Sequence, residues 1–333
     1  MINEKSLVID STKLQDYMTC PRLFLYRHVF GWRAEEQSVD LVFGSAWHAA
    51  MAHLLKHGYS AENLVESFQV FLKVYRVAFP NAAEDEDLRK PKTPDNAWRG
   101  LMEYVVRYSD DDFKVLHTEV AGRVPICDSP LRLLYFKIDN VIEEASGQVS
   151  VIERKTAGVG KVITRTWMDQ WALSMQIGTY SHVLHMLYDS DKVGGVYIDG
   201  FSPANAPKLK KDGEPVANAR DIEFNRFLIK MSPQRMDAWL FTANVWYEFL
   251  EQDFEDLDCA VTGDPVLQAF PMNPVSCSKY WGCPFRDYCV IWQNPLVHCN
   301  EPPLGYKVEF WDPRELETEA EEVIHLDTDK ALV

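Results

Sequence analysis

No apolar run in this 333-residue sequence approaches the roughly 18 to 20 residues a membrane span requires, and its first 19 residues lack a basic segment leading into an apolar one. The expectation is a chain with no membrane span or export signal, located in the cytoplasm. Positive charge is scarce, with 34 Lys and Arg against 50 Asp and Glu and a net charge of −16. Such a chain repels phosphate as a whole, so a nucleic-acid partner requires a locally basic groove or bound cations. Close Cys-x-x-Cys pairs, the usual zinc knuckles, are absent. "GVGKV" (158 to 162) has neither the upstream glycine nor the following Ser/Thr of a phosphate loop. His53 and His57 stand four apart with no zincin glutamate between them, and are expected to be packed or solvent-facing. There is no flavin or nicotinamide fingerprint, internal repeat or low-complexity linker.

What is present describes a globular chain. Apolar residues make up 47% and aromatics 12%, enough for a substantial core in one large domain or two ordinary ones. The seven cysteines are an odd number, so thiols or metal ligands are expected rather than disulfides. Acidic clusters such as "EDED" (84 to 87) and "ELETEAEE" (315 to 322) read as solvated faces or tails.

Along the chain, "STKLQDYMTCPRLFLYR" has helical apolar spacing broken by Pro21, which predicts two short helices meeting at Cys20. "FGSAWHAAMAHLLKHG" reads as a helix ended by Gly58, with further helical pattern over "NLVESFQVFLKVYRVAF" and "AWRGLMEYVVRY". The period then changes, and "KVLHTEVAGRVPI", "LRLLYFKIDNVIEE" and "QVSVIERKT" form a meander of strands. "WMDQWALSMQIGTYSHVLHMLY" returns to a helical period, "VGGVYIDGFSP" and "IEFNRFLIKMSP" read as strands, and residues 233–252 as another helix. The fold class expected is α/β, a central mixed sheet flanked by helices with an added helical layer. The expected organisation is a helical region over 1–115, a core over 116–270, a cysteine region over 271–300 and an acidic tail over 301–333.

Asp139 in "YFKID" and Glu153 and Lys155 in "VIERKT" carry the strongest chemical signal. Glu153 and Lys155, two apart on a strand, project to one face, and the hairpin can bring Asp139 beside them. Both carboxylates end apolar runs, where ionised groups are costly unless paired or metal-bound. Two hard oxygen donors and a cation suit a divalent metal, Mg or Mn, that activates water against a phosphodiester. Gln176 and Tyr180 lie four apart on one helix face and can offer polar ends to a substrate phosphate. His48 offers an imidazole ligand, against the plainer reading of a packed helix histidine. Lys161, with Arg165 and the basic loop "PKLKKDG" (207 to 213) that carries Lys208, Lys210 and Lys211, could supply a local positive groove.

In this order the motifs "YMTCPRLFLYR", "FGSAWH", "FKID", "ERK" and "QIGTY", and the cysteines of "CSKYWGCPFRDYC", resemble the PD-(D/E)XK nuclease superfamily over residues 14–289. The likeness is specifically to RecB-like exonucleases with a C-terminal iron–sulfur cluster, the AddB and CRISPR-adaptation type. It implies a restriction-endonuclease-like core and a metal-dependent DNA exonuclease acting on single strands or free ends in recombination, repair or phage and CRISPR DNA processing. It implies His48, Asp139 and Glu153 as metal ligands, Lys155 as the residue that orients or deprotonates water, and Gln176 and Tyr180 as DNA contacts. Glu119 of "HTEV" matches an acidic position of the family, and Phe136 stands where the family often has glycine. The resemblance also implies that Cys20 joins Cys277, Cys283 and Cys289 around a 4Fe–4S cluster. Four thiolates also suit zinc, although the missing knuckle favours iron and sulfur. Two other readings remain: a non-catalytic iron–sulfur DNA-binding relative, and an iron–sulfur redox protein.

Overall fold

The computed structural model describes residues 2–81, 86–157, 163–204, 221–278 and 282–327. Among the described residues eight strands are formed: β1 (Trp32–Ala34), β2 (Phe113–Asp128), β3 (Leu131–Glu144), β4 (Val149–Thr156), β5 (Val193–Ser202), β6 (Glu223–Ile229), β7 (Tyr306–Val308) and β8 (Glu322–His325). Six of them make a mixed sheet in the order β6-β5-β4-β3-β2-β8, flanked by helices, so the chain has the expected α/β class. The chain divides into two interleaved units, one of residues 1–36, 121–137 and 231–333, the other of 37–120 and 138–230.

In the second unit β4 is antiparallel to β3 and parallel to β5, and β5 is antiparallel to β6. The parallel pair needs a crossover, supplied by the helices Arg165–Asp169 and Met175–Leu187. The helical period of 167–188 is broken at Ser174, whose extended backbone caps the second helix. Three longer helices, Val39–His57, Ala61–Ala78 and Pro94–Arg107, start at Ser38, Ser60 and Thr93, each accepting from a backbone N–H three residues on. Their apolar faces bury Phe43, Trp47, Phe71, Tyr75, Leu101 and Tyr104 with Phe201 and Phe224 of the sheet. Trp47 and Phe201 stack with centroids 4.0 Å apart. Gly100 permits this approach, because a Cβ there would lie 2.7 Å from the Phe201 ring.

In the first unit, Pro21 ends the α-pattern as expected: Ser11–Thr19 is a helix, Cys20 is extended, and Pro21–Phe24 begins a second short helix. Asp10 caps the first helix by accepting from Lys13 N. The long helix Pro233–Cys259 brings Asp253 to Tyr17, whose hydroxyl donates at 2.5 Å. Within 301–333, β7 pairs with β1 and Glu322–His325 forms the sheet-edge strand β8. No described helix is long and apolar enough to cross a membrane.

Candidate active site

β3 and β4 present the carboxylates. They are registered through Asn140 and Ile152, so Asp139 and Glu153 stand one residue beyond that pair. The helix Val39–His57 brings His48 Nδ1 to 3.2 Å from Asp139 Oδ1. Asp139 Oδ2 accepts from the Arg154 backbone N–H at 3.0 Å and lies 3.8 Å from the Arg154 guanidinium. Glu153 Oε1 lies 2.6 Å from Lys155 Nζ and accepts from Gln176 Nε2 at 3.1 Å. Lys155 Nζ also donates to Gln176 Oε1 at 2.7 Å, and Gln176 Nε2 reaches the Tyr180 hydroxyl at 2.8 Å. Direct contacts thus join His48 to Asp139, and Glu153, Lys155, Gln176 and Tyr180 to one another, and the two groups influence each other through charge. Lys161 and the 207–213 loop lie outside the described residues. Glu119 lies in β2 with a φ of 49°.

Both carboxylates are buried, and their neighbours separate them electrostatically. Asp139 is 7% and Glu153 2% exposed. Burial opposes ionisation of Asp139, but the charge and hydrogen bond of His48 and the nearby Arg154 outweigh it and hold the carboxyl well below its usual range. At Glu153 burial dominates over the attraction of Lys155, and with the charge of Asp139 added, this carboxyl is raised. Burial would lower His48, yet the charge and hydrogen bond of Asp139, helped by Glu153, raise it.

Glu153 Oε2 is buried with no hydrogen-bond partner, an arrangement that a cation would relieve. The donor types nearby are two carboxylates, which suit Mg or Mn, and one imidazole, a softer donor. Among the described residues no group of three or more His, Cys, Asp or Glu side chains is already drawn together to hold a metal ion. The fit therefore rests on the donor set and on that orphaned oxygen.

Two members of the environment escaped sequence reading. Arg154, whose side chain is 1% exposed, donates to Asn140 Oδ1, which lies on a fully buried residue. The middle residue of "ERK" falls on the opposite face of a strand buried on both sides, and that placement was the available signal. Trp171 lies in the turn before the Gln176 helix, its ring centroid 5.0 Å from Lys155 Nζ.

In the first unit, Cys20, Cys277, Cys283 and Cys289 line one cavity of about 730 Å³. The extended backbone at Cys20 and the hydrogen bond to its sulfur from Asn273 N, at 3.3 Å, fix one side. A hydrogen bond from Cys283 N to Cys277 O at 2.9 Å and the helix Arg286–Ile291 place the other three. Tyr26, Trp32, Phe285, Tyr288 and Trp292 pack beside Cys283 and Cys289. Burial raises the Cys283 thiol and pushes Cys289 up to about 11. Cys299 donates to Leu296 O and does not line this cavity. Four thiols around one space are a donor set that iron–sulfur and zinc groups both accept.

A family model described as the PD-(D/E)XK nuclease superfamily matches residues 11–290. No curated protein matches the chain. Among solved structures, that of SSO0001 is similar at 13% identity and a TM-score of 0.27, covering 62% of this chain and 84% of that one.

Proposed function

This chain belongs to the PD-(D/E)XK nuclease superfamily, and we propose that it is a metal-dependent deoxyribonuclease, an exonuclease working on single strands or free DNA ends. The buried Glu153, with one oxygen held by Lys155 and Gln176 and the other without a partner, supports this reading most directly. His48, Asp139 and Glu153 would hold Mg or Mn. When bound, the cation supplies Lewis-acid polarisation of the phosphodiester and lowers the pKa of water. Lys155 Nζ lies beside Glu153, placed to orient the attacking water and to offset charge developing on phosphorus-bound oxygen. Gln176 holds Lys155 and Glu153 in register, and Tyr180 holds Gln176. The cation also offsets the repulsion that a net charge of −16 imposes on DNA.

The cysteine cavity is assigned a 4Fe–4S cluster, on the ground that Cys20 and the three later thiols line one space while the zinc-type knuckle is missing. Ligands far apart in sequence make it a staple within that unit.

The test is cleavage of end-labelled linear DNA, single- and double-stranded, beside covalently closed circles, with Mg or Mn or with chelator. Shortening from the ends with a cation, and intact circles, is the result expected. Nicked circles would replace the exonuclease assignment by an endonuclease. Absence of any cleavage by cation-loaded protein would leave the DNA-binding alternative.

A further inference from the structure

Lys155 is restrained from three sides. Two are polar, the Glu153 carboxylate at 2.6 Å and the Gln176 amide at 2.7 Å. The third is the face of Trp171, whose ring centroid lies 5.0 Å from the ammonium. This indole is itself supported. Trp167 is 8% exposed and packs where Gly200 leaves room, since a Cβ at that position would come within 2.9 Å of the Trp167 ring. Trp171 meets Trp167 edge-on at 5.6 Å. The turn is closed by Trp171 N to Met168 O at 3.2 Å and Ser174 N to Trp171 O at 3.1 Å. A chain of contacts thus runs from the sheet through two tryptophans to the lysine. The polar partners of Lys155 have other engagements: Glu153 is a proposed metal ligand and Gln176 bridges Glu153 and Tyr180. The indole face can attract a cation but offers no competing acid or base.

We propose that Trp171 is a positioning residue of the nuclease site, holding the Lys155 ammonium against the ring face so that it stays aimed at the reacting centre while Glu153 is engaged elsewhere. This deepens the nuclease reading and rests on it. Trp171 acts through Lys155, so its loss should lower kcat and leave DNA affinity alone.

The experiment compares Trp171→Leu and Trp171→Phe with the parent in two measurements. The first is cleavage kinetics on end-labelled DNA with Mn. Trp171→Leu is expected to lower kcat about 30-fold, the rate equivalent of a desolvated cation–π contact, with KM unchanged; Trp171→Phe should restore most of the loss. The second is independent of activity: lysines are reductively methylated with ¹³C, the Lys155 signal is assigned through Lys155→Arg, and its ring-current shift is read. An upfield shift in the parent, retained in Trp171→Phe and lost in Trp171→Leu, is the expected pattern. If all three proteins fail to cut DNA while that pattern holds, the nuclease reading falls and the lysine–indole contact stands. A Lys155 signal the same in all three, or a rise in KM with unchanged kcat, overturns the positioning role. So does an equal kcat loss in both variants.

Discussion

Lys155 holds Glu153 by one carboxylate oxygen, at 2.6 Å, and leaves the other, buried, without a partner. One side chain thus supplies an ion-paired edge and a free edge, and the two should fail separately. Lys155→Ala is expected to keep cation binding and lower the cleavage rate by about 10² to 10⁴. Gln176→Ala, which loosens Lys155 without removing it, should cost roughly 10- to 100-fold, the scale of one hydrogen bond to a charged group. Single-turnover cleavage with saturating Mn measures both, and a larger loss in Gln176→Ala than in Lys155→Ala would contradict this order.

Behind the sheet a second polar network has a structural task. Asp199 on β5, 3% exposed, accepts from the Tyr104 hydroxyl at 2.6 Å and lies 3.4 Å from Arg226 Nε. Arg226 also donates twice to Asp111 at 2.9 Å and stacks over Tyr108 at 3.9 Å. Asp199→Ala removes one of the two carboxylates beside Arg226, leaves the buried Tyr104 hydroxyl without its acceptor, and should destabilise the fold by about 1–3 kcal/mol. Asp199→Asn, which keeps a hydrogen-bond acceptor, should cost less. Denaturant unfolding followed by far-UV circular dichroism gives both values, and equal midpoints for parent and Asp199→Ala would exclude the role.

Lys92 predicts a pH dependence. Its side chain is 1% exposed, with Asp40 3.8 Å away and the Phe43 ring at 4.9 Å. Burial lowers its pKa from 10.5 to about 8. The unfolded chain therefore binds the Lys92 proton more readily than the folded one. Below about pH 8 this group subtracts stability, and the penalty is relieved as pH rises from about 8 to 10.5. Lys92→Met should be more stable than the parent at pH 7, by at most about 3 kcal/mol, and the gap should close toward pH 10.5. Thermal midpoints of the two proteins across this range test it; curves that stay parallel would show that Lys92 titrates normally.

Among the thiols, Cys20→Ala should lose iron and the broad visible absorption of an iron–sulfur group, because Cys20 lines the cavity with the three later cysteines. Cys127→Ala and Cys299→Ala should retain both. Iron and acid-labile sulfide analysis of anaerobically purified protein decides it. A colourless protein with stoichiometric zinc would replace the cluster by a zinc site.

Local rules made much of this architecture legible. Pro21 marks the helix break, and the change from a 3.6- to a 2-residue period marks β2, β3 and β4 at nearly their observed bounds. Neighbours on one strand or helix face were equally readable, which is why Glu153 with Lys155 and Gln176 with Tyr180 could be paired from spacing alone. His48 and Asp139 are 91 residues apart, so their contact is a product of tertiary packing, and only the resemblance linked them in advance. Arg154 was missed because a charged side chain on a strand looks solvent-facing until both faces are known to be covered. Trp171 was hidden inside a continuous helical period that Ser174 interrupts, since a cap is hard to tell from an ordinary helix serine. β8 is four residues long, too short for alternation to stand out from the acidic run before it.

Calorimetric titration of manganese into the parent, Asp139→Ala and Glu153→Ala, run beside cleavage of end-labelled DNA by the same preparations, is the most direct test of a metal site at the buried carboxylates. The expected result is stoichiometric binding and cleavage by the parent, with both lost in each variant while circular dichroism and iron content stay unchanged. Cleavage at the parental rate by Asp139→Ala and Glu153→Ala, with manganese still bound, would contradict it.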